Sequence, residues 1–113
     1  MASTEQITAT IEAHVAAVGD ADADAVARLY AAEAELQDPA GTSVAVGRSA
    51  IRRHFATVLT KPREMELVFV AVTGHHAAFH FRATPAGGPA RDVIDTMTFD
   101  DDGAITSMKA YAG

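Results

Sequence analysis

At Arg63 the spacing of apolar residues changes from every third or fourth position to every second, and this switch constrains the fold more than any motif. Upstream, Ser3 and Gln6 form a capping-box pattern ahead of Ile7, Ile11, Val15 and Val18, which predicts a helix ending at Gly19. Asp20, Asp22 and Asp24 then fall before and within the opening turn of a second predicted helix, Ala25 to about Ala32, where carboxylates cap backbone N–H groups. Glu35 to Asp38 reads as a short strand stopped by Pro39, with Gly41 to Gly47 as its hairpin partner. Ser49 is the expected cap of a third helix carrying Ile51, Phe55, Val58 and Leu59 on one stripe, closed by Lys61-Pro62. Downstream, strands are predicted at Glu64 to Val72, His76 to Ala83, Ala90 to Phe99 and Ala104 to Ala112. Helices followed by strands imply an α+β fold, with three N-terminal helices packed on a curved mixed or antiparallel β-sheet and a hollow between the layers. Nothing resembling a repeat or linker divides residues 1–113, so one domain is expected.

The formal charge is -6, with only nine Lys and Arg and no clustered cations beyond Arg52-Arg53, which argues against a nucleic-acid or membrane-surface partner. There is no cysteine, hence no disulfide frame, thiolate nucleophile or thiolate metal ligand. The sequence shows neither a signal-peptide pattern nor an apolar run of spanning length, and a soluble, cytoplasmic protein is expected. The strand from Glu64 is apolar on both faces, Met65, Leu67, Phe69 and Ala71 against Val68, Val70 and Val72. Helices can cover one face; a second copy covering the other predicts a homodimer joined through sheet surfaces.

Candidate chemistry begins with Asp95, which alternation places beside Val93, Met97 and Phe99. On an inward face its carboxyl would stay protonated near neutral pH and donate a hydrogen bond to a developing oxyanion; in a slipped register it would be a salt-bridged surface acid. Asp38, at the strand-to-turn junction before Pro39, is either an Asx-type turn residue or a partly buried general base. His14 shares the face of Ile7, Ile11 and Val18 and points inward, as a core residue or a donor. Tyr30, expected near the end of the second helix, admits core packing or donation into a polar network. His75 and His76 fall on opposite strand faces, leaving His76 with His80 alone, too few for a metal; they read as a polar outer face with Arg82. Phe79, Phe81, Met97 and Met108 are candidates for an apolar pocket wall or plain core.

Taken in order, Leu29-Tyr30-Ala31-Ala32, Gln37-Asp38-Pro39-Ala40-Gly41, Gly47-Arg48-Ser49-Ala50-Ile51, Asp92-Val93-Ile94-Asp95-Thr96-Met97, Phe99-Asp100 with Gly103, and Met108-Lys109-Ala110-Tyr111 resemble the bacterial steroid Δ5-3-ketoisomerases. The resemblance spans nearly the whole chain. It implies the cone-shaped nuclear transport factor 2-like fold, a homodimer, no cofactor, and a 3-oxo-Δ5-steroid substrate whose double bond is moved into conjugation through a dienolate. It places the proton-shuttling base on Asp38 and the protonated oxyanion-hole acid on Asp95. A neutral aspartic acid in that role is the recognised arrangement of ketosteroid isomerases themselves, so this assignment comes from the resemblance. Where the family carries an oxyanion-hole tyrosine, this chain has His14; Tyr30 matches a supporting tyrosine, and Phe55 stands where the same network has another. Val18, Tyr30, Phe55 and Leu59 from the helical half are expected to line the substrate pocket. Phe79, Phe81, Val93, Met97 and Met108 are expected there from the strands. The sequence stops at Gly113, soon after Tyr111, leaving the pocket mouth and the steroid preference open. Two rivals are a non-catalytic binder of steroids or other flat apolar ligands, and a related dehydratase, cyclase or epoxide hydrolase of the same fold.

Overall fold

A computed structural model describes residues 1–113. The chain runs α1 (Thr4–Gly19), α2 (Ala23–Arg28), β1 (Tyr30–Gln37), β2 (Ala45–Val46), α3 (Arg48–Val58), β3 (Arg63–Thr73), β4 (His76–Pro85), β5 (Arg91–Phe99) and β6 (Ile105–Ala112). Six strands form one sheet in the order β2-β1-β6-β5-β4-β3. The last four are an antiparallel meander, while β1 joins β6 in parallel, so the sheet is mixed. Helices cover one face, and the interface holds a continuous core of 21 buried residues that includes Ile7, Ile11, Val26, Tyr30, Ile51, Phe79 and Ile105.

α1 starts as its capping box dictates: Ser3 N–H donates to Gln6 Oε1 at 2.7 Å and Gln6 N–H donates to Ser3 Oγ at 3.1 Å. Its last turn lies so close to β3 that a Cβ on Gly19 would come within 2.8 Å of Met65 Cγ, so any side chain there would force Met65 to shift. Asp22 caps α2 by accepting from Ala25 N–H at 3.0 Å, whereas Asp24 pairs with Arg52 of α3. No helix is long and apolar enough to cross a membrane.

Three local expectations are corrected. The second helix ends at Arg28 rather than Ala32, because Leu29 and Tyr30 are drawn into the sheet: Ile105 N–H donates to Leu29 O at 3.0 Å, and Tyr30 stands opposite Ile105. Tyr30 is therefore a strand residue. α3 begins at Arg48 with Gly47 as its cap, so Ser49 lies inside the first turn. On β3 the register shifts between Leu67 and Phe69; the extra residue reverses the alternation, turning Met65, Leu67, Val70 and Val72 toward the helices and Phe69 outward.

Candidate active site

Between the helices and the inner sheet face lies a cavity of about 360 Å³, within the size range of small-molecule sites. Its floor is β5, where Asp95, Val93 and Arg91 point the same way at every second residue. Phe81 and Ala83 of β4 flank that row on one side; Met108, Ala110 and Ala112 of β6 flank it on the other. The roof comes from His14 and Val18 of α1, with His54, Phe55, Val58 and Leu59 at and just beyond the end of α3. Asp38 enters from the end of β1.

Asp95 is 3% exposed, and its Oδ1 has no hydrogen-bond partner. Burial, reinforced by the negative charge of Asp38, pushes its carboxyl up to about 8, so at neutral pH it is an acid with a proton to donate. His14 is 2% exposed, and the same desolvation lowers its imidazole to about 4, leaving it neutral. Its Nε2 lies 2.8 Å from the Tyr30 hydroxyl. Tyr30 is fully buried, and desolvation followed by the charges of Asp95 and Asp38 holds its phenol well above the ordinary tyrosine range. The His14 ring stands edge-on to Phe55 at 5.8 Å between centroids.

Asp38 differs from Asp95 in both exposure and company. Its side chain is 28% exposed, and its Oδ2 accepts a 2.8 Å hydrogen bond from His54 Nε2. Sequence reasoning did not single out His54. The signal was present: His54 stands three residues after Ile51 and four before Val58, at the edge of the apolar stripe of α3. Arg63 and Arg91 were also missed, although alternation from Asp95 places Arg91 on its face.

Of the residues expected around the pocket, His14, Val18, Asp38, Phe55, Leu59, Phe81, Val93, Asp95 and Met108 line one cavity. Tyr30, Phe79 and Met97 do not line it. Tyr30 and Phe79 are fully packed core, with Tyr30 standing behind the cavity residues His14 and Phe55, and Met97 is buried nearer the far end of β5. A larger hollow of about 670 Å³ is walled in part by the outward residues Thr96, Thr98, Ser107 and Lys109, but its one carboxyl, Glu35, is exposed to solvent. Paired acids in an apolar setting occur only in the inner cavity. The three histidines of β4 and its turn do not converge on one another: His75 faces Asp101 and His80 faces Asp92.

Such an arrangement can take a proton at Asp38 and steady a developing oxyanion at Asp95. Residues 11–108 match the model of the SnoaL-like domain. The chain is 38% identical over 109 residues to a steroid Delta-isomerase of Nocardioides simplex, covering 94% of this chain and 89% of that protein. Its fold superposes with a TM-score of 0.85 on the epoxide hydrolase/cyclase-like enzyme SalBIII of salinomycin pyran-ring formation, at 24% identity, covering 100% of this chain and 95% of the other.

Proposed function

The chain belongs to the SnoaL-like domain family and shares its α+β, nuclear transport factor 2-like fold, and from that premise we propose that it is a steroid Δ5-3-ketoisomerase. The observation that carries the reading is Asp95: a buried, protonated acid with an unpartnered oxygen, in the same apolar cavity as a second, partly exposed carboxylate. The 38% identity to a steroid Delta-isomerase supports it.

Asp38 would remove a proton from the carbon between the 3-ketone and the isolated double bond, leaving a dienolate. Asp95 O–H donates to the dienolate oxygen from a buried position, where the developing charge is least shielded by solvent. If Tyr30 donates to Nε2 of His14, the imidazole proton sits on Nδ1, and that nitrogen becomes the second donor. Asp38 then returns the proton two carbons further along, completing the conjugated enone. No cofactor takes part in this proposal. The test is to add a 5-ene-3-ketosteroid and follow the ultraviolet absorbance of the conjugated product. Wild type should produce the rise and Asp38→Asn should lose it; a flat trace from folded wild type rejects the isomerase.

The His54–Asp38 hydrogen bond favours a second reading. A carboxylate joined to a histidine can draw the proton from a water or substrate hydroxyl while Asp95 protonates an opening epoxide oxygen, giving hydrolysis or ring closure with the same pair of acids. Turnover of hydroxy-epoxides alongside inert ketosteroids would select that reading. Ligand binding without turnover of either would leave a non-catalytic binder.

For assembly, the outward row Phe69, His80, Ile94 and Tyr111 crosses β3 to β6, with Phe69 67% exposed. A homodimer seated on this row would bury it. Sedimentation at micromolar concentration should give twice the chain mass, and Ile94→Glu should give monomer; monomeric wild type rejects the dimer.

A further inference from the structure

Polar chemistry sits at both ends of the cavity, and the proposed reaction uses only one. Along β5, Asp95 and Arg91 share a face four residues apart, which separates their backbones by about 13 Å. Between them the cavity is apolar, walled by Val93, Phe81, Ala83 and Ala112 below and Val58 and Leu59 above. Arg63, the first residue of β3, joins Arg91 in the lining at this end. The two come from strands flanking β4, where Arg63 stands opposite Pro85 and Arg91 opposite Ala83.

Both arginines lack a carboxylate partner. Arg52 pairs with Asp24, and Arg82 with Glu66 and Asp92, while no ion pair involves Arg63 or Arg91. Arg63 Nε is buried with no hydrogen-bond partner, and its Nη2 makes only a 3.4 Å contact with Val58 O. Asp20 and Glu64 border the hollow on the other side of Arg63, yet neither pairs with it. In a chain with 15 acidic residues and nine Lys and Arg, two guanidiniums without an ion-pair partner at one cavity end supply positive potential there.

We propose that Arg63 and Arg91 are specificity residues that recognise a carboxylate on the end of the ligand remote from the ketone, so that the preferred substrate is an acidic 3-oxo steroid. Guanidinium donors match carboxylate geometry in bidentate fashion, and the buried Nε of Arg63 gains a partner when such a group docks. A rigid four-ring body whose carbonyl oxygen meets Asp95 directs its opposite side chain toward these two residues. This inference rests on the isomerase reading for the carbonyl end, and the cationic end is tested separately from turnover.

The experiment measures affinity by calorimetry for two conjugated 3-ketosteroids, one with a neutral side chain and one with the same side chain ending in a carboxylate. The acid should bind about tenfold tighter to wild type, with a preference that shrinks as salt is raised. In Arg91→Ala the acid-to-neutral ratio should fall toward one. In Arg91→Glu it should invert, while Arg91→Lys should keep part of it. Because Arg91 is exposed, these variants test the idea even if Arg63→Gln fails to fold. Equal affinities in wild type, a preference that survives Arg91→Glu, or binding of neither steroid would overturn it. Strong acid preference without turnover removes the isomerase reading and leaves carboxylate recognition at Arg63 and Arg91 standing. Turnover of the neutral ketone without acid preference does the reverse.

Discussion

Asp92 and Asp95 stand three residues apart on one strand, and their surroundings shift the two carboxyls in opposite directions from the ordinary aspartate range. Asp92 faces outward, where a 2.8 Å hydrogen bond from His80, and then Arg82, hold its carboxyl below the usual aspartate range. Asp95 faces inward, where desolvation and the nearby charge of Asp38 push it up to about 8. The same side chain becomes an ion-pair acceptor on one face of β5 and a neutral donor on the other. Solvent access and the sign of the neighbouring charge decide the difference; residue type does not.

The comparison can be pressed hardest through the inner face. Removing the proposed base in Asp38→Asn should cut kcat on a 5-ene-3-ketosteroid by about 10²- to 10⁴-fold. Asp95→Ala should cost on the order of 10²- to 10³-fold, the loss expected on removing the proposed oxyanion donor, whereas Asp92→Ala should stay within about twofold. Comparable losses at Asp92 and Asp95 would erase the distinction between the faces. The readout is initial rate by product absorbance at saturating substrate.

Proton uptake gives a finer test. Between pH 3.8 and about 8 the folded chain keeps the Asp95 proton that the unfolded chain has released, so this residue lowers stability as pH rises through that window. His14 acts oppositely between 6.5 and about 4: the unfolded chain takes up the proton first, so stability falls as pH falls. The two oppose each other below 6.5, and from 6.5 to 8 Asp95 acts alone. Thermal midpoints should therefore decline from pH 6.5 to 8 in wild type and stay flatter in Asp95→Asn. The proposed isomerase activity should fall on the alkaline side of about 8 as Asp95 ionises. A wild-type midpoint that does not decline from 6.5 to 8 would contradict a buried neutral acid at this position.

The smallest expected effect concerns His54. With its side chain 24% exposed, it would offer a proton taken up by Asp38 in the proposed reaction a route to solvent. Substrate deuterated at the carbon that loses its proton should show partial washout of label in the product with wild type. In His54→Phe more label should be retained, with kcat changed only several-fold. Equal retention in the two proteins would confine His54 to holding Asp38 in place.

Much of this site was legible before any coordinates. The capping box at Ser3, the inward face of Ile7, Ile11 and His14, and the alternation around Asp95 are local periodicities, and each recurs in the fold. Tyr30 was placed on a helix because Ala-rich sequence around it favours one; parallel pairing with β6, 75 residues downstream at Ile105, overrides that preference. The bulge in β3 was invisible because both phases of that strand are apolar, so no pattern marks where the extra residue sits. His54 was overlooked because its meaning depends on Asp38, brought to it from a different element.

Read alone, the amino-acid order determined which segments are helical or extended and which side chains share a face, because those are properties of 3.6- and 2-residue periods within a few turns of backbone. Only the packed structure decided that Asp38 meets His54, that Tyr30 stands behind His14, and that Arg63 and Arg91 close the far end of the cavity. Each of those juxtapositions joins elements distant in sequence, and the burial and charge that set their chemistry exist only once the sheet and helices enclose a common space.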